Sequence, residues 1–423
     1  MSGNEKQTLV PRLRFSEFCD DQPWSFQALG KLAKRSTQKN AGGDITRVLT
    51  NSAEYGVIDQ RDFFDKDIAN QGNLEGYYIV EEGDYVYNPR ISATAPVGPV
   101  SKNRIGLGVM SPLYTVFRFN NKQNDFYAHY FKSTHWHQYM RQASSTGARH
   151  DRMSITNDDF MGLPLPVSQP EEQKKVADCL SSLDELITAE NQKLDTLKTH
   201  KKGLMQQLFP RVGENVPHLR FLSEGDWTVS SLPEVAFFQE GPGIMAVDFR
   251  NEGVPLVRLA GVGGINVTLD GCNYLDPEKV AQKWAHFRLE LDDLIISTSA
   301  TFGLTSTVTE VAAGAVFYTG LIRFRPRNER LTLSYLKVFL GSPHFEQQAA
   351  SAAVGGGIKH FGPTHLKKME IPIPPLAEQR FIADCMGSLD ARIAAETRKI
   401  EALKLHKQGL MQKLFPVFDE VSA

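Results

Sequence analysis

The sequence predicts an α+β protein: two strand-rich α/β domains joined by two long antiparallel helices in a coiled coil, with an internal pseudo-two-fold repeat. Three observations lead there. A 39-residue segment from Glu172 to Pro210 recurs from Glu378 to Pro416, a spacing of 206 residues, with 23 of the 39 positions identical and no gap. Within each copy the apolar residues recur at helical spacing. The stretches between the copies are instead rich in Gly, aromatic and β-branched residues in short alternating runs.

Residues 1–163 form the first strand-rich domain. Tyr77-Tyr78-Ile79-Val80, Asp84-Tyr85-Val86-Tyr87 and Tyr114-Thr115-Val116-Phe117 read as strands, because alternation with β-branched and aromatic residues suits a pleated, half-buried surface. Residues 164–212 form the first helical region. Val176, Leu180, Leu183, Ile187, Leu194, Leu197, Leu204 and Leu208 make an a/d seam broken only by Glu190 and Lys201, the pattern of a coiled coil. Residues 213–369 form the second strand-rich domain, with Leu294-Ile295-Ile296-Ser297 and Gly320-Leu321-Ile322-Arg323-Phe324 as strands. Residues 370–423 close the chain with the second helical region, whose seam is Ile382, Met386, Leu389, Ile393, Ile400, Leu403, Leu410 and Leu414. At 1.5 Å per residue each helix spans roughly 55–60 Å. The polar seam positions Glu190, Lys201, Glu396 and Lys407 fit an antiparallel pair in which Glu190 faces Lys407 and Lys201 faces Glu396, or a face turned to solvent or a partner. Gly203 and Gly409 recur at equivalent places and suit close backbone packing or fraying of the last turns.

A shorter match has the same offset: Val10-Pro11-Arg12-Leu13-Arg14-Phe15 against Val216-Pro217-His218-Leu219-Arg220-Phe221. The repeat is therefore a half-protein used twice, far longer than a solenoid unit of about 20–50 residues. Duplicated helices present one surface twice and suit two copies of one partner. Two unlike globular parts on a helical ruler suit an asymmetric, split target; symmetric DNA-binding dimers contact half-sites about 34–36 Å apart.

Composition sets further bounds. The chain has 423 residues, a net charge of −2, and Cys19, Cys179, Cys272 and Cys385 far apart, which argues against a zinc site or a disulfide scaffold. No apolar run reaches the roughly 18 residues of a membrane span, and Met1 to Gln7 lead into no apolar core; the chain reads as cytoplasmic. Residues 1–163 carry 19 basic and 18 acidic side chains, and residues 217–370 carry 14 and 16. Any surface for DNA must come from local clustering or from another subunit, since net charge supplies none.

The run Pro372-Ile373-Pro374-Pro375-Leu376-Ala377-Glu378-Gln379, then Ile382-Ala383 and Leu389-Asp390, resembles the opening of the repeated helical region in specificity subunits of type I restriction–modification systems. The ending from His406 to Pro416 is similar to that family's helix terminus, and the first copy departs slightly with Val167-Ser168-Gln169-Pro170. The resemblance implies two target-recognition domains, each reading half of a bipartite double-stranded DNA site. It also implies helices that dock two methyltransferase subunits, which recruit restriction subunits. S-adenosylmethionine, ATP and magnesium then belong to the partners, and this chain carries no cofactor.

Within that frame Gly83 to Arg90 resembles a stretch of such recognition domains. Asn88, Arg90, Ser92, Lys102 and Arg104 have DNA-reading chemistry, since Asn can pair with adenine and Arg with guanine; Asn88-Pro89 also reads as a plain turn. The second half has Leu291-Asp292-Asp293-Leu294 there, without the glycine, which weakens a parallel role for Ser297, Thr298 and Ser299. Gly147-Ala148-Arg149-His150 matches Gly357-Ile358-Lys359-His360, and Gly followed by a cation suits a phosphate contact; Arg149, His150, Lys359 and His360 are candidates on that ground. Arg323, Arg325, Arg327 and Arg330 read as a solvated face, and His135-Trp136-His137 as aromatic packing. No methyltransferase, nuclease or other catalytic constellation is present: Asn88-Pro89-Arg90 lacks the second proline and the aromatic of an amino-methyltransferase motif, and no Pro-Asp dipeptide occurs. The alternative is a non-catalytic coiled-coil scaffold that binds proteins only.

Overall fold

The computed structural model describes residues 9–63, 74–144, 151–211, 213–214, 216–222, 226–298, 305–352 and 361–416. The two repeated segments are helices as the apolar spacing requires: α1 (Pro170–Leu208) and α2 (Leu376–Leu414), each of 39 residues. No helix among the described residues is long and apolar enough to cross a membrane. The chain divides into two compact units, and both divisions fall inside these helices. Unit 1 holds Met1–Asn191 and Arg398–Ala423; unit 2 holds Gln192–Thr397.

Unit 1 is organised by a sheet of β1 (Ala33–Arg35), β2 (Tyr85–Tyr87), β3 (Val100–Lys102) and β4 (Thr115–Phe119), antiparallel in the order β1-β4-β2-β3. Side chains alternate across a strand, and here both faces are covered. Tyr85, Tyr87, Phe117 and Phe119 enter a core with Phe126, Tyr130, Phe131 and Trp136. Val86 and Val116 point the other way, into a smaller cluster with Leu49, Val57, Val80 and Met110. Val176 and Leu180 from the start of α1, and Met411, Leu414 and Phe415 from the end of α2, complete the larger core. Trp136 is buried against Phe131 and His137, and His135 lies against Tyr130 and Phe415, the aromatic packing expected of that run.

Unit 2 repeats this plan. Its sheet of β5 (Ala236–Glu240), β6 (Leu294–Ser297), β7 (Thr305–Thr307) and β8 (Leu321–Pro326) has the order β5-β8-β6-β7, again antiparallel. Leu294 and Ile296 face one core and Ile295 the opposite cluster. Ile382, Met386 and Leu389 from the start of α2, with Met205, Leu208 and Phe209 from the end of α1, close the first core. The two globular parts share a frame that their sequences hide.

The short repeated motif acquires a structural reason. In unit 1 the Leu13 N–H donates to the Lys413 carbonyl at 2.9 Å, while Arg14 donates to Glu172 at 2.7 and 2.9 Å. Glu172 also accepts from the Trp24 indole at 2.9 Å and is 1% exposed. In unit 2 Leu219 donates to Gln207 at 2.9 Å, and Glu378, fully buried, accepts from Arg220 at 2.8 Å and Trp227 at 2.9 Å. One motif thus ties the end of one helix to the start of the other within each unit. Gln379 adds a further anchor, accepting from the Thr332 N–H at 2.9 Å ahead of the helix Leu333–Leu340.

Antiparallel pairing of the helix halves is set inside each unit by ion pairs, in a register different from the expected one. In unit 1 Lys407 pairs with Asp184 and Lys399 with Glu190. In unit 2 Lys201 pairs with Asp390 at 2.5 Å and Lys193 with Glu396 at 2.6 Å. Lys407 therefore meets a residue six positions before Glu190, and Glu190 meets one eight before Lys407. The displacement is about one heptad. An a/d seam looks the same after a seven-residue slide, so the apolar pattern leaves the register open and the carboxylate positions decide it. A Cβ at Gly203 or Gly409 would meet nothing within 4 Å, so close packing does not account for them, and nothing in the structure does.

His129 packs beside this seam at 3% exposure, its Nε2 3.0 Å from the Ser181 hydroxyl. Burial pushes its pKa from 6.5 down to about 4, with the Lys407 and Lys132 cations adding to the effect. An unfolded chain binds this proton near pH 6.5 and the folded unit only near 4. Stability from this group is therefore present above pH 6.5 and lost as pH falls towards 4, by up to about 3 kcal/mol.

These contacts have measurable consequences. Removing Glu172 leaves the Arg14 guanidinium, whose side chain is 5% exposed, with only the Asp21 and Gln22 carbonyls and no counter-charge; Glu172→Ala should destabilise unit 1 by about 3 kcal/mol, read from hydrogen-exchange protection of the helix Asp125–Tyr130. In urea titrations, His129→Asn should flatten the loss of unit 1 stability between pH 6.5 and 4 relative to the parent chain, with no change in slope above pH 7.

Candidate nucleic-acid interface

β2 is buried on both sides and delivers the chain to an eleven-residue loop, 88–98, whose ends meet. The Asn88 N–H donates to the Pro99 carbonyl at 3.0 Å. At the far end Gly98 has φ 82° and lies so near the Asn88 carbonyl that a Cβ would sit 2.1 Å from its oxygen; only glycine closes the loop this tightly. The buried Tyr87 hydroxyl donates to the Val97 carbonyl at 3.0 Å, and Val97 itself is fully buried. Asn51 clamps the base, its amide donating to the Val86 and Pro99 carbonyls at 2.8 and 3.1 Å. Compact loops with meeting ends are frequently functional.

The candidate residues fare differently on this frame. Asn88 is half-buried; its amide donates to the Asn51 carbonyl at 2.9 Å and its Oδ1 accepts the Arg90 N–H at 3.0 Å. That is an Asx turn, which orients the side chain towards the loop's own backbone. The Ser92 hydroxyl accepts the Ala95 N–H at 3.1 Å and lies 3.2 Å from Thr94 Oγ1. Arg90 is exposed, and its guanidinium makes no ion pair with a described residue. Lys102 and Arg104 line the same open cleft as Ala93 and Thr94 of the loop. Both hold Asp125, at 3.0 and 2.6 Å. Burial alone would raise the Asp125 carboxyl, but these two cations outweigh it and hold it below the ordinary carboxylate range. The cleft, of about 1290 Å³, is also lined by Tyr55, Lys132, His137 and Arg141.

Arg149, His150, Lys359, His360 and Ser299 lie outside the described residues. The segment immediately after Arg149-His150 packs on the loop: Ile91 donates to Asp151 at 3.0 Å, Met153 donates to Pro89 at 2.8 Å, and Arg90 bridges Arg152 in antiparallel fashion. The loop is thus bound to residues 151–153.

Unit 2 has the same turn before its central strand, despite lacking the glycine. Asp292 takes φ 65° where Gly83 takes 90°; an Asp tolerates this region better than most residues do. Glu81 and Glu290 each donate N–H to the carboxylate three residues on, Asp84 and Asp293, at 2.8 Å. Arg118 grips Asp84 at 2.6 and 3.0 Å, and Arg325 grips Asp293 in the same way, both aspartates being fully buried. The Glu-x-x-Asp spacing ahead of an apolar run was visible in both halves; its arginine partner, on a distant strand, was not. Ser297 occupies the place of Asn88, and the next residue, Thr298, donates its N–H to Gly320 at 2.9 Å.

The arginine cluster divides: Arg327 and Arg330 are exposed, as a solvated face requires, whereas Arg325 is half-buried and Arg323 buried. Arg323 is 5% exposed, donates to the Arg288 and His286 carbonyls at 2.7 Å and lies over Phe237 and Phe317. Burial lowers its pKa, with Arg325 adding to the effect. Arg327 donates to Ala236 at 3.2 Å, and Arg330 to Thr228 and Ser230 at 3.4 and 3.1 Å. These cations hold the sheet edge together.

The family model for the type I restriction modification DNA specificity domain matches the chain twice, over residues 29–199 and 224–405. The MjaVIII type I restriction enzyme specificity subunit of Methanocaldococcus jannaschii is 25% identical over 327 residues, 73% of each chain. The putative MjaX specificity subunit of the same organism is 26% identical over 285 residues, 62% of this chain and 61% of that one. Among solved structures, a chain described with complex assembly and conformational transition of the type I R-M system superposes with a TM-score of 0.60 at 17% identity, covering 93% of this chain and 97% of its own. The type I restriction–modification S subunit from M. genitalium gives 0.51 at 14% identity, covering 97% and 100%. With two copies of the domain on two units of one topology, the chain belongs to the type I restriction–modification DNA specificity family.

Proposed function

We propose that this chain is the DNA-reading subunit of a type I restriction–modification complex, each unit recognising one half of an asymmetric bipartite double-stranded site. The observation that carries this reading is one frame presented twice with unlike loops: the sheet order repeats, while the residues after β2 and β6 differ. A repeated frame with divergent loops is what the reading of two different half-sites requires. The helix surfaces dock two methyltransferase subunits, and restriction subunits join through them. The reaction chemistry, with S-adenosylmethionine, ATP and magnesium, resides on those partners; this chain contributes recognition and works in the cytoplasm. Near-neutral charge fits a reader in which buried cations such as Arg14 are committed to internal carboxylates. Phosphate contacts from partner subunits then supply much of the salt-dependent affinity.

The test is co-expression with the methyltransferase partner and mapping of methylated adenines by single-molecule sequencing. The expected motif is split and asymmetric, and exchanging residues 12–160 for those of a relative changes one half only. A well-formed complex with no sequence-specific methylation or binding would favour a protein-binding scaffold.

A further inference from the structure

Unit 1 has two residues at the mouth of the 88–98 loop with base-reading chemistry, and the geometry gives them different work. We propose that Arg90 is a base-reading residue of unit 1, donating its guanidinium fork to the O6 and N7 edge of a guanine in the major groove, and that Asn88 positions it. The inference rests on the DNA-reading function proposed above and names a residue within it.

Asn88 works in the turn. Its amide donates to the Asn51 carbonyl and its carbonyl oxygen accepts the Arg90 N–H, which hold the half-buried side chain against the loop's base; swinging it out onto an adenine edge would break both bonds and open the turn. That same turn fixes the Arg90 backbone from one side. Pro89 restricts the preceding φ, and its carbonyl accepts from Met153 at 2.8 Å. Ile91 donates to Asp151 at 3.0 Å on the other side. The base of the loop is closed by Asn51, Tyr87 and Gly98. The Arg90 side chain therefore starts from a backbone held at both neighbours and extends into solvent.

Several cations of unit 1 are held by acids: Arg47 by Asp59, Lys102 and Arg104 by Asp125, and Arg118 by Asp84. Releasing any of these to DNA would leave a carboxylate facing phosphate. Arg90 has no such tie among the described residues; unlike other exposed cations such as Lys31, Lys34 and Lys122, it stands on the closed loop with its backbone held at both neighbours, so binding orders only its side chain. A phosphate contact needs only charge and tolerates a mobile cation. A fork-to-guanine contact needs a fixed origin and two parallel donors, which arginine has and lysine lacks.

The experiment uses the full chain co-expressed with its methyltransferase partner, as Arg90→Ala and Arg90→Lys beside the parent. The methylated motif is read by single-molecule sequencing, and affinity is measured on a duplex carrying the parent motif at several salt concentrations. Both variants should lose preference for one guanine position in one half of the motif and bind the parent duplex about 10- to 100-fold more weakly, with the other half unchanged. A parent motif restored by Arg90→Lys, with Arg90→Ala weakening all sequences equally and flattening the salt dependence, would mark a phosphate contact and overturn the proposal. A motif unchanged in Arg90→Ala would overturn it as well. If the parent complex itself shows no split motif, the DNA-reading function fails, and the proposal falls with it.

Discussion

Phe415 and Phe209 occupy equivalent places, and each closes the core of its unit. Phe415 lies 5.3 Å from Phe126 and 5.4 Å from Tyr130, ring to ring; Phe209 stacks on Tyr335 at 5.8 Å. Each is carried there by the last turn of a helix whose first half belongs to the other unit. The core of unit 1 cannot form from a contiguous stretch of chain, because Met411, Leu414 and Phe415 close it, whereas the core of unit 2 lies within Gln192–Thr397 and draws on the end of α1 and the start of α2. The antiparallel pairing of helix halves, the Lys–Asp and Lys–Glu register and the Arg14–Glu172 and Arg220–Glu378 ties all depend on that arrangement. So does the strong likeness of the helical segments: their residues must serve two packing partners at once, and the loops serve none of these contacts.

The helices and their repeat were legible because periodicity is a local property of the sequence, and Trp136 was legible as packing for the same reason. The register was not. Sliding a heptad preserves every a/d position, so only the location of Asp184 and Asp390 separates one alignment from another. The common frame of the two globular parts was hidden for a different reason. What the fold holds constant there is a left-handed backbone position and a buried carboxylate, and Gly83 and Asp292 meet the first requirement with different side chains. Arg327 and Arg330 are exposed as read, but Arg323 and Arg325 are not, because their acceptors, Asp293 and the backbone carbonyls of His286 and Arg288, come from other strands and loops. Asn88 was read both as a base-contacting residue and as a plain turn; the turn is what forms, and the residue's chemistry alone could not tell that its side chain binds the Asn51 carbonyl and the Arg90 N–H.

Charge commitment explains how a chain of net charge −2 belongs to a DNA specificity family. Many arginines and lysines are structural, paired to carboxylates that are themselves buried or half-buried. The 88–98 loop is fixed at its base by backbone contacts and by Asn51, and it anchors in the core through Val97, while Arg90 at its mouth is exposed.

The most direct test of this architecture is hydrogen exchange on two full-length variants, Phe415→Ala and Phe209→Ala. Loss of a buried Phe costs about 3–5 kcal/mol, and the shared-helix arrangement confines that loss to one unit at a time. Phe415→Ala should lower protection in Asp125–Tyr130 and leave Leu333–Leu340 as it was; Phe209→Ala should do the reverse. Protection lost in the opposite unit, or in neither, would contradict the claim that each core is completed by the end of the distant helix.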